Sequence, residues 1–181
     1  MKKNIGSLLA LYPMPATVVG AMAGNQPTWT LVAHVGIIGH DRVLVSLAKP
    51  HFINGVIKTQ NKLSINLVGE EMLPEADVAG SISGAKEDKS ALFAYTVGQA
   101  GAPIIENALL AMECTVVDVY ETEGFESFIC TIDNTCVEEA HLNESGKIDY
   151  STLKPVLFEF PTYQYLRTGD VIGKCLSFKK K

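Results

Sequence analysis

The sequence predicts a mainly β protein, an antiparallel barrel or sandwich with a few short peripheral helices. Three observations carry that reading. Short apolar runs rich in Val, Ile and Thr recur along the chain, each bounded by Gly, Pro, Asn or Asp. Helical patterning is confined to three short pieces, so the strands lack the alternating helices that a parallel sheet needs. The composition also supplies a core. Of 181 residues, 47% are hydrophobic and 19% charged, and at this length about 70% of the unfolded surface can be buried without a disulfide or metal. One domain is expected over residues 1–181, because no repeat, low-complexity linker or composition shift divides them.

The elements follow in order. Strands are predicted over residues 17–23, 29–38, 43–48 and 63–68. Two longer strands, 109–120 and 125–138, are split by Glu121-Thr122-Glu123-Gly124, which reads as a hairpin turn. Strands over 157–160 and 163–166 close the series. Asn54 can cap a helix running to Gln60, and Pro74 can open another toward Ile82. Ser83 followed by Glu87 predicts a third helix reaching about Val97.

Charge and cysteine content exclude several classes. The chain has 15 basic and 20 acidic side chains, a net charge of -5. Nine of the acidic residues and one basic residue, Lys147, lie in 118–149, expected to be the solvated face and loops of the long hairpin. An anionic ligand is therefore expected elsewhere. No basic stripe is present, so nucleic acid is not an expected partner, and Lys179-Lys180-Lys181 reads as a solvated tail. The apolar run near the N-terminus is broken by Gly6, Pro13 and Pro15, too short for a secretory core or a membrane span; a cytoplasmic protein with no membrane association is expected. Cys114, Cys130, Cys136 and Cys175 never approach the spacing of a zinc or redox motif. The first three lie in predicted strands, where a buried thiol acts as a small hydrophobe.

Two segments together could hold a phosphate. In Ser46-Leu47-Ala48-Lys49-Pro50-His51-Phe52-Ile53-Asn54 a strand ends and a helix begins, and free N–H groups at such a start suit an anion. Ser83-Gly84-Ala85-Lys86-Glu87-Asp88-Lys89 is a second glycine-containing turn with a lysine further on. Taken singly, Ser83 and Asp88 read better as helix caps than as ligand groups.

It is the order of these pieces that carries a resemblance. The run Tyr12-Pro13-Met14-Pro15-Ala16-Thr17-Val18-Val19 is followed by Pro27-Thr28-Trp29-Thr30, by Val43-Leu44-Val45-Ser46-Leu47 with Asn54, and by Ser64-Ile65-Asn66-Leu67. Ser83-Gly84 with Asp88-Lys89, Met112-Glu113-Cys114, and Tyr165 with Gly169-Asp170-Val171-Ile172-Gly173 come after. This succession resembles the flavin reductase-like family of FMN-binding split barrels, flavoredoxins included.

The resemblance implies a six-stranded antiparallel Greek-key split β-barrel that forms a homodimer and binds one FMN per subunit. Carried over by residue, the phosphate would meet Ser46, Lys49, His51, Asn54, Ser83 and Lys89, with the backbone at Leu47 and Ala48. The isoalloxazine ring would lie along Leu31, Val32, Ala33 and His34. The family often has Thr where Asn54 stands, and Arg or Lys with Ser or Thr where this chain has Pro50-His51. His34, in an apolar strand, reads as a packed residue with one satisfied nitrogen or as a neighbour of the flavin. Trp29 and Phe52 are expected to pack.

Three functions follow from the resemblance. One is an NAD(P)H-dependent flavin reductase passing electrons through FMN to free flavin or another acceptor, with NAD(P)H as transient donor and no catalytic side chain required. Another is a flavoredoxin-like electron carrier that works with a redox protein partner. The third is a flavin-free relative whose altered phosphate loop no longer binds FMN.

Overall fold

The computed structural model describes residues 1–178; the expected solvated tail, Lys179-Lys180-Lys181, lies outside the described residues. The strands are β1 (Met14–Pro15), β2 (Thr17–Ala23), β3 (Gln26–Val32), β4 (Val35–Ile37), β5 (Arg42–Ala48), β6 (Lys62–Leu67), β7 (Tyr95–Val97), β8 (Pro103–Ile105), β9 (Leu110–Glu121), β10 (Phe125–Val137), β11 (Val156–Glu159) and β12 (Gln164–Arg167). Helices α1 (Phe52–Gln60) and α2 (Leu73–Ser81) follow β5 and β6.

The main sheet is antiparallel with the order β3-β2-β6-β9-β10-β5-β4. Its two ends belong to one stretch of chain. The run expected as a single strand bends at Ala33-His34: β3 pairs with β2, while β4 pairs with β5. The bend thus closes the sheet on itself as six strands. β2, β3–β4 and β5 run consecutively, and β6 returns through α1 to lie beside β2, which is the Greek-key order.

β2 is buried on both faces because it separates two cores. Val19 and Ala21 point into the barrel with Val45, Ile65, Phe128 and the α1 residue Ile57. Val18 points outward, joining Trp29, Met72, Ala76 and Phe93 under α2 and the segment after it. The outer core depends on one small residue. Gly20 sits opposite Trp29, and a Cβ on Gly20 would lie 2.3 Å from the indole. Trp29 is fully buried, as expected.

Four expectations are corrected. Residues 83–97 do not form a helix. They form a turn in which Lys86 and Glu87 N–H groups bond the Ser83 carbonyl, a 3-10 turn (Ser90–Leu92), and β7 paired with β8. Burial of Phe93 against Trp29, 5.5 Å between ring centres, outweighs the local helical signal. Asn54 does not cap α1, whose N-cap is His51; it lies buried within the first turn. Glu126, expected on a solvated face, is buried and pairs with Lys58. Cys136 is exposed, whereas Cys114 and Cys130 are buried in the barrel, where burial pushes the Cys130 thiol up to about 12. Among the described residues no helix is long and apolar enough to cross a membrane.

Candidate functional site

The bend that closes the barrel also opens its wall. A cleft of about 510 Å³ runs past Leu31, Val32, Ala33 and His34 on one side and Ser46, Leu47 and Ala48 on the other. A second cleft of about 380 Å³ continues from it, sharing Ala48, His51, Gly80 and Ser81. The segment expected along the ring (31–34) and the one expected at the phosphate (46–51) thus line adjoining clefts, with α2 as a common wall. α2 can approach because Gly80 has no side chain: a Cβ there would stand 2.9 Å from Leu31 Cβ.

Lys89 lines the second cleft. Its ammonium donates to the carbonyls of Trp29, at 3.0 Å, and Ala79, at 2.7 Å. The residue is only 5% exposed. An ammonium has three N–H donors, and among the described residues no carboxylate is within ion-pair distance to neutralise it. Burial lowers its pKa, and the negative charge of Glu87 offsets that only in part. His51 stands at the same junction, with Nδ1 3.4 Å from Thr30 Oγ1. Burial, then the charge of Lys89, lowers its pKa. Phe52 and Ile53 of the first α1 turn also line this cleft, where first-turn N–H groups lack intrahelical acceptors. A buried cation, a helix start and a polar turn at Ser83 form a donor set suited to a phosphate.

The remaining expected site residues are placed differently. Ser46 Oγ is 3.0 Å from Ser127 Oγ, while its N–H bonds the His34 carbonyl. Lys49 lines neither cleft and pairs with Glu121 at 3.2 Å. Asn54 lies behind the loop: its amide donates to the Ala48 carbonyl at 3.2 Å and to Glu126 at 2.8 Å. It therefore supports the loop between the two clefts from within. Val32 and Leu47 send their side chains into the barrel core.

Several site residues were not anticipated. The mouth of the first cleft is aromatic, with Phe125, Phe158, Phe160, Tyr163 and Tyr165 on it. Tyr12 stacks on Phe160 at 6.3 Å and 18°, and its hydroxyl lies 2.8 Å from His34 Nε2. Asp77 of α2 accepts a hydrogen bond from Tyr165 at 2.6 Å. The aromatic density of residues 158–165 was the available signal. It did not disclose that this segment pairs with β1 and borders the cleft beside residues 31–34. Among the described residues, no group of His, Cys, Asp and Glu is placed to hold a metal ion.

Residues 9–167 match the model of the flavin reductase like domain. The chain belongs to that family. Two solved structures resemble it over nearly their full length. Flavoredoxin from Methanosarcina acetivorans is 29% identical, with a TM-score of 0.92, covering 98% of this chain and 97% of that one. Flavoredoxin of Desulfovibrio vulgaris (Miyazaki F) is 28% identical, with a TM-score of 0.90, covering 99% and 100%. An FMN-binding protein from Thermus thermophilus, 21% identical with a TM-score of 0.80 over 96% and 98%, shares the fold. No curated protein matches the chain in sequence. The split-barrel fold expected from the resemblance is the fold observed.

Proposed function

We propose that this chain binds FMN and acts as an oxidoreductase, passing electrons from NAD(P)H through the bound flavin to free flavin or another acceptor. The observation that carries the proposal is Lys89, a buried cation with no carboxylate within ion-pair distance among the described residues, lining a cleft that continues into an apolar one. A flavin mononucleotide pairs an apolar ring with a dianionic phosphate and matches both halves. Lys89, His51, Ser83 and the first turn of α1 would hold the phosphate. Backbone groups of residues 31–34 and 46–48 would address the ring edge.

When bound, the flavin supplies the electron transfer, taking up a hydride equivalent and giving electrons on. The side chains bind and orient it. The Tyr12 hydroxyl and His34 Nε2 share a proton position at the cleft wall, and the aromatic mouth excludes water from the ring. The chain is proposed to work as a homodimer. Support comes from Ile5, Leu8, Leu9 and Leu11, apolar side chains left exposed along one short segment, since clustered exposed apolar side chains mark interaction surfaces.

A second reading has its own support, since both flavoredoxins match the whole chain. In it the protein is an electron carrier reduced by a protein partner. Anaerobic mixing of the FMN-loaded protein with NADH or NADPH separates the two. Bleaching of the flavin band at a catalytic rate supports the reductase, whereas bleaching only with a reduced protein donor supports the carrier. A protein that shows no flavin absorbance after incubation with FMN sinks both.

A further inference from the structure

Exposed aromatic rings are not shared evenly between the two clefts. Phe52 stands at the second, 42% exposed, which corrects the expectation that it packs. The first holds Phe125, Phe160 and Tyr163, at 38%, 46% and 68%. It also holds a charge opposite in sign to that of Lys89. Among the described residues, Asp77 is the only Asp, Glu, Lys or Arg lining this cleft. We infer that the wall formed by Asp77 and the rings of residues 158–165 is the acceptor subsite, and that it selects a planar aromatic cation. The inference rests on the proposed flavin-binding function and names the acceptor class for it.

The wall is one connected cluster. Asp77 accepts the Tyr165 hydroxyl at 2.6 Å. Between ring centres, Tyr165 lies 5.4 Å from Phe158, Phe158 lies 6.4 Å from both Phe160 and Tyr163, and Phe160 lies 4.9 Å from Tyr163. Burial, then the hydrogen bond to Asp77, raises the Tyr165 pKa, so the phenol stays protonated and keeps hold of the carboxylate. The turn between β11 and β12 is fixed as well. Tyr163 has a φ of 56°, a left-handed conformation that a bulky side chain rarely adopts. One residue earlier, the Thr162 N–H donates to the Glu159 carboxylate at 3.0 Å. Strain of this kind persists only where the surroundings hold it, and it collects at ligand clamps. Here it presents the Tyr163 ring beside Phe160.

A flavin ring along residues 31–34 and 46–48 would leave this wall to a second planar molecule. Aromatic faces attract a cation, and a carboxylate beside them supplies the counter-charge while repelling an anion. A reduced nicotinamide nucleotide is a neutral ring on a polyanion and gains nothing from Asp77. The acceptor step balances without a further reactant: two electrons and one proton pass from the anionic reduced flavin ring to the cation, and both rings end neutral.

The test is equilibrium dialysis of the oxidised, FMN-loaded chain, as wild type and as Asp77→Asn. The probes are methylene blue, a planar cation, menadione, a neutral quinone, and anthraquinone-2-sulfonate, a planar anion. Asparagine can still accept the Tyr165 hydroxyl, so the variant removes the charge and keeps the wall. The wild type is expected to bind methylene blue most tightly. Asp77→Asn is expected to weaken methylene blue about fivefold, to leave menadione and FMN within about twofold, and to tighten the anion. Reoxidation of the reduced protein by subsaturating methylene blue should slow by a similar factor. Tyr163→Ala is expected to weaken methylene blue and menadione together. An unchanged methylene blue affinity in Asp77→Asn overturns the inference. A parallel loss of FMN affinity overturns it too, since the carboxylate would then serve the flavin. A raised KM for NADH with all three probes unaffected assigns Asp77 to the donor and also overturns it. A chain that takes up no FMN overturns this inference together with the proposed function.

Discussion

The ammonium of Lys89 lies 2.7 Å from the carbonyl oxygen of Ala79, near the end of α2. The contact joins the turn after α2 to the helix itself and directs a cation into the wall of the second cleft. A helix C-terminal carbonyl is a natural acceptor for a lysine. Two carbonyl dipoles, however, do not replace the hydration of a full charge.

Replacing Lys89 by methionine therefore separates ligand binding from stability. Loss of a hydrogen-bonded charge is expected to weaken FMN by roughly tenfold to a hundredfold, the equivalent of about 1.5–3 kcal/mol. Riboflavin, which has no phosphate, is expected to bind unchanged. The unliganded variant should be close to the wild type in stability, because removal of a buried charge offsets the loss of its hydrogen bonds to the Trp29 and Ala79 carbonyls. Fluorescence titration and thermal unfolding measure the two effects; an unaltered FMN affinity would place the phosphate elsewhere.

Gly20→Ala tests the packing of the outer core. The new methyl would overlap the Trp29 ring and come within 2.8 Å of Ser64 Oγ. Neither β2 nor β3 can retreat, since both are held in the barrel ladder. A loss of about 1–3 kcal/mol is expected, seen as a lower midpoint in denaturant. Full stability would show that Trp29 has another place to go.

Acid should loosen the loop between the clefts. The Glu126 carboxyl is held below its ordinary value near 4.5, first by its hydrogen bond from Lys58 and then by that from Asn54. A depressed carboxyl contributes stability that is full above the ordinary value and lost as pH falls through the folded one. The wild type is expected to lose stability more steeply below about pH 4.5 than Glu126→Gln, which cannot titrate. Parallel acid limbs for the two proteins would remove Glu126 from this role.

Much of the barrel was legible in the chain. Residues 17–23 read as a strand with the observed bounds of β2, because β-branched and small residues end at a Gly24-Asn25 turn. The 122–124 turn was equally plain, with the Thr122 N–H returning to the Phe125 carbonyl. Residues 83–97 were misread because Ser, Glu and Asp at that spacing match a helix start locally, while the decisive partner of Phe93, Trp29, lies more than 60 residues away in sequence. The burial of Lys89 was hidden for the same reason: its acceptors come from β3 and α2.

By itself, the sequence determined the elements that depend on near neighbours: the alternation of the strands, the tight turns, the proline-started helix and the order of motifs that marks the family. Tertiary structure alone decided that one bent strand serves both ends of the sheet, that the loops at 46–51 and 83–89 face each other, and that Phe52 stays uncovered. Periodicity records which side of an element avoids water. Which distant surface meets that side, and which charge is left there without a partner, depends on closing the barrel.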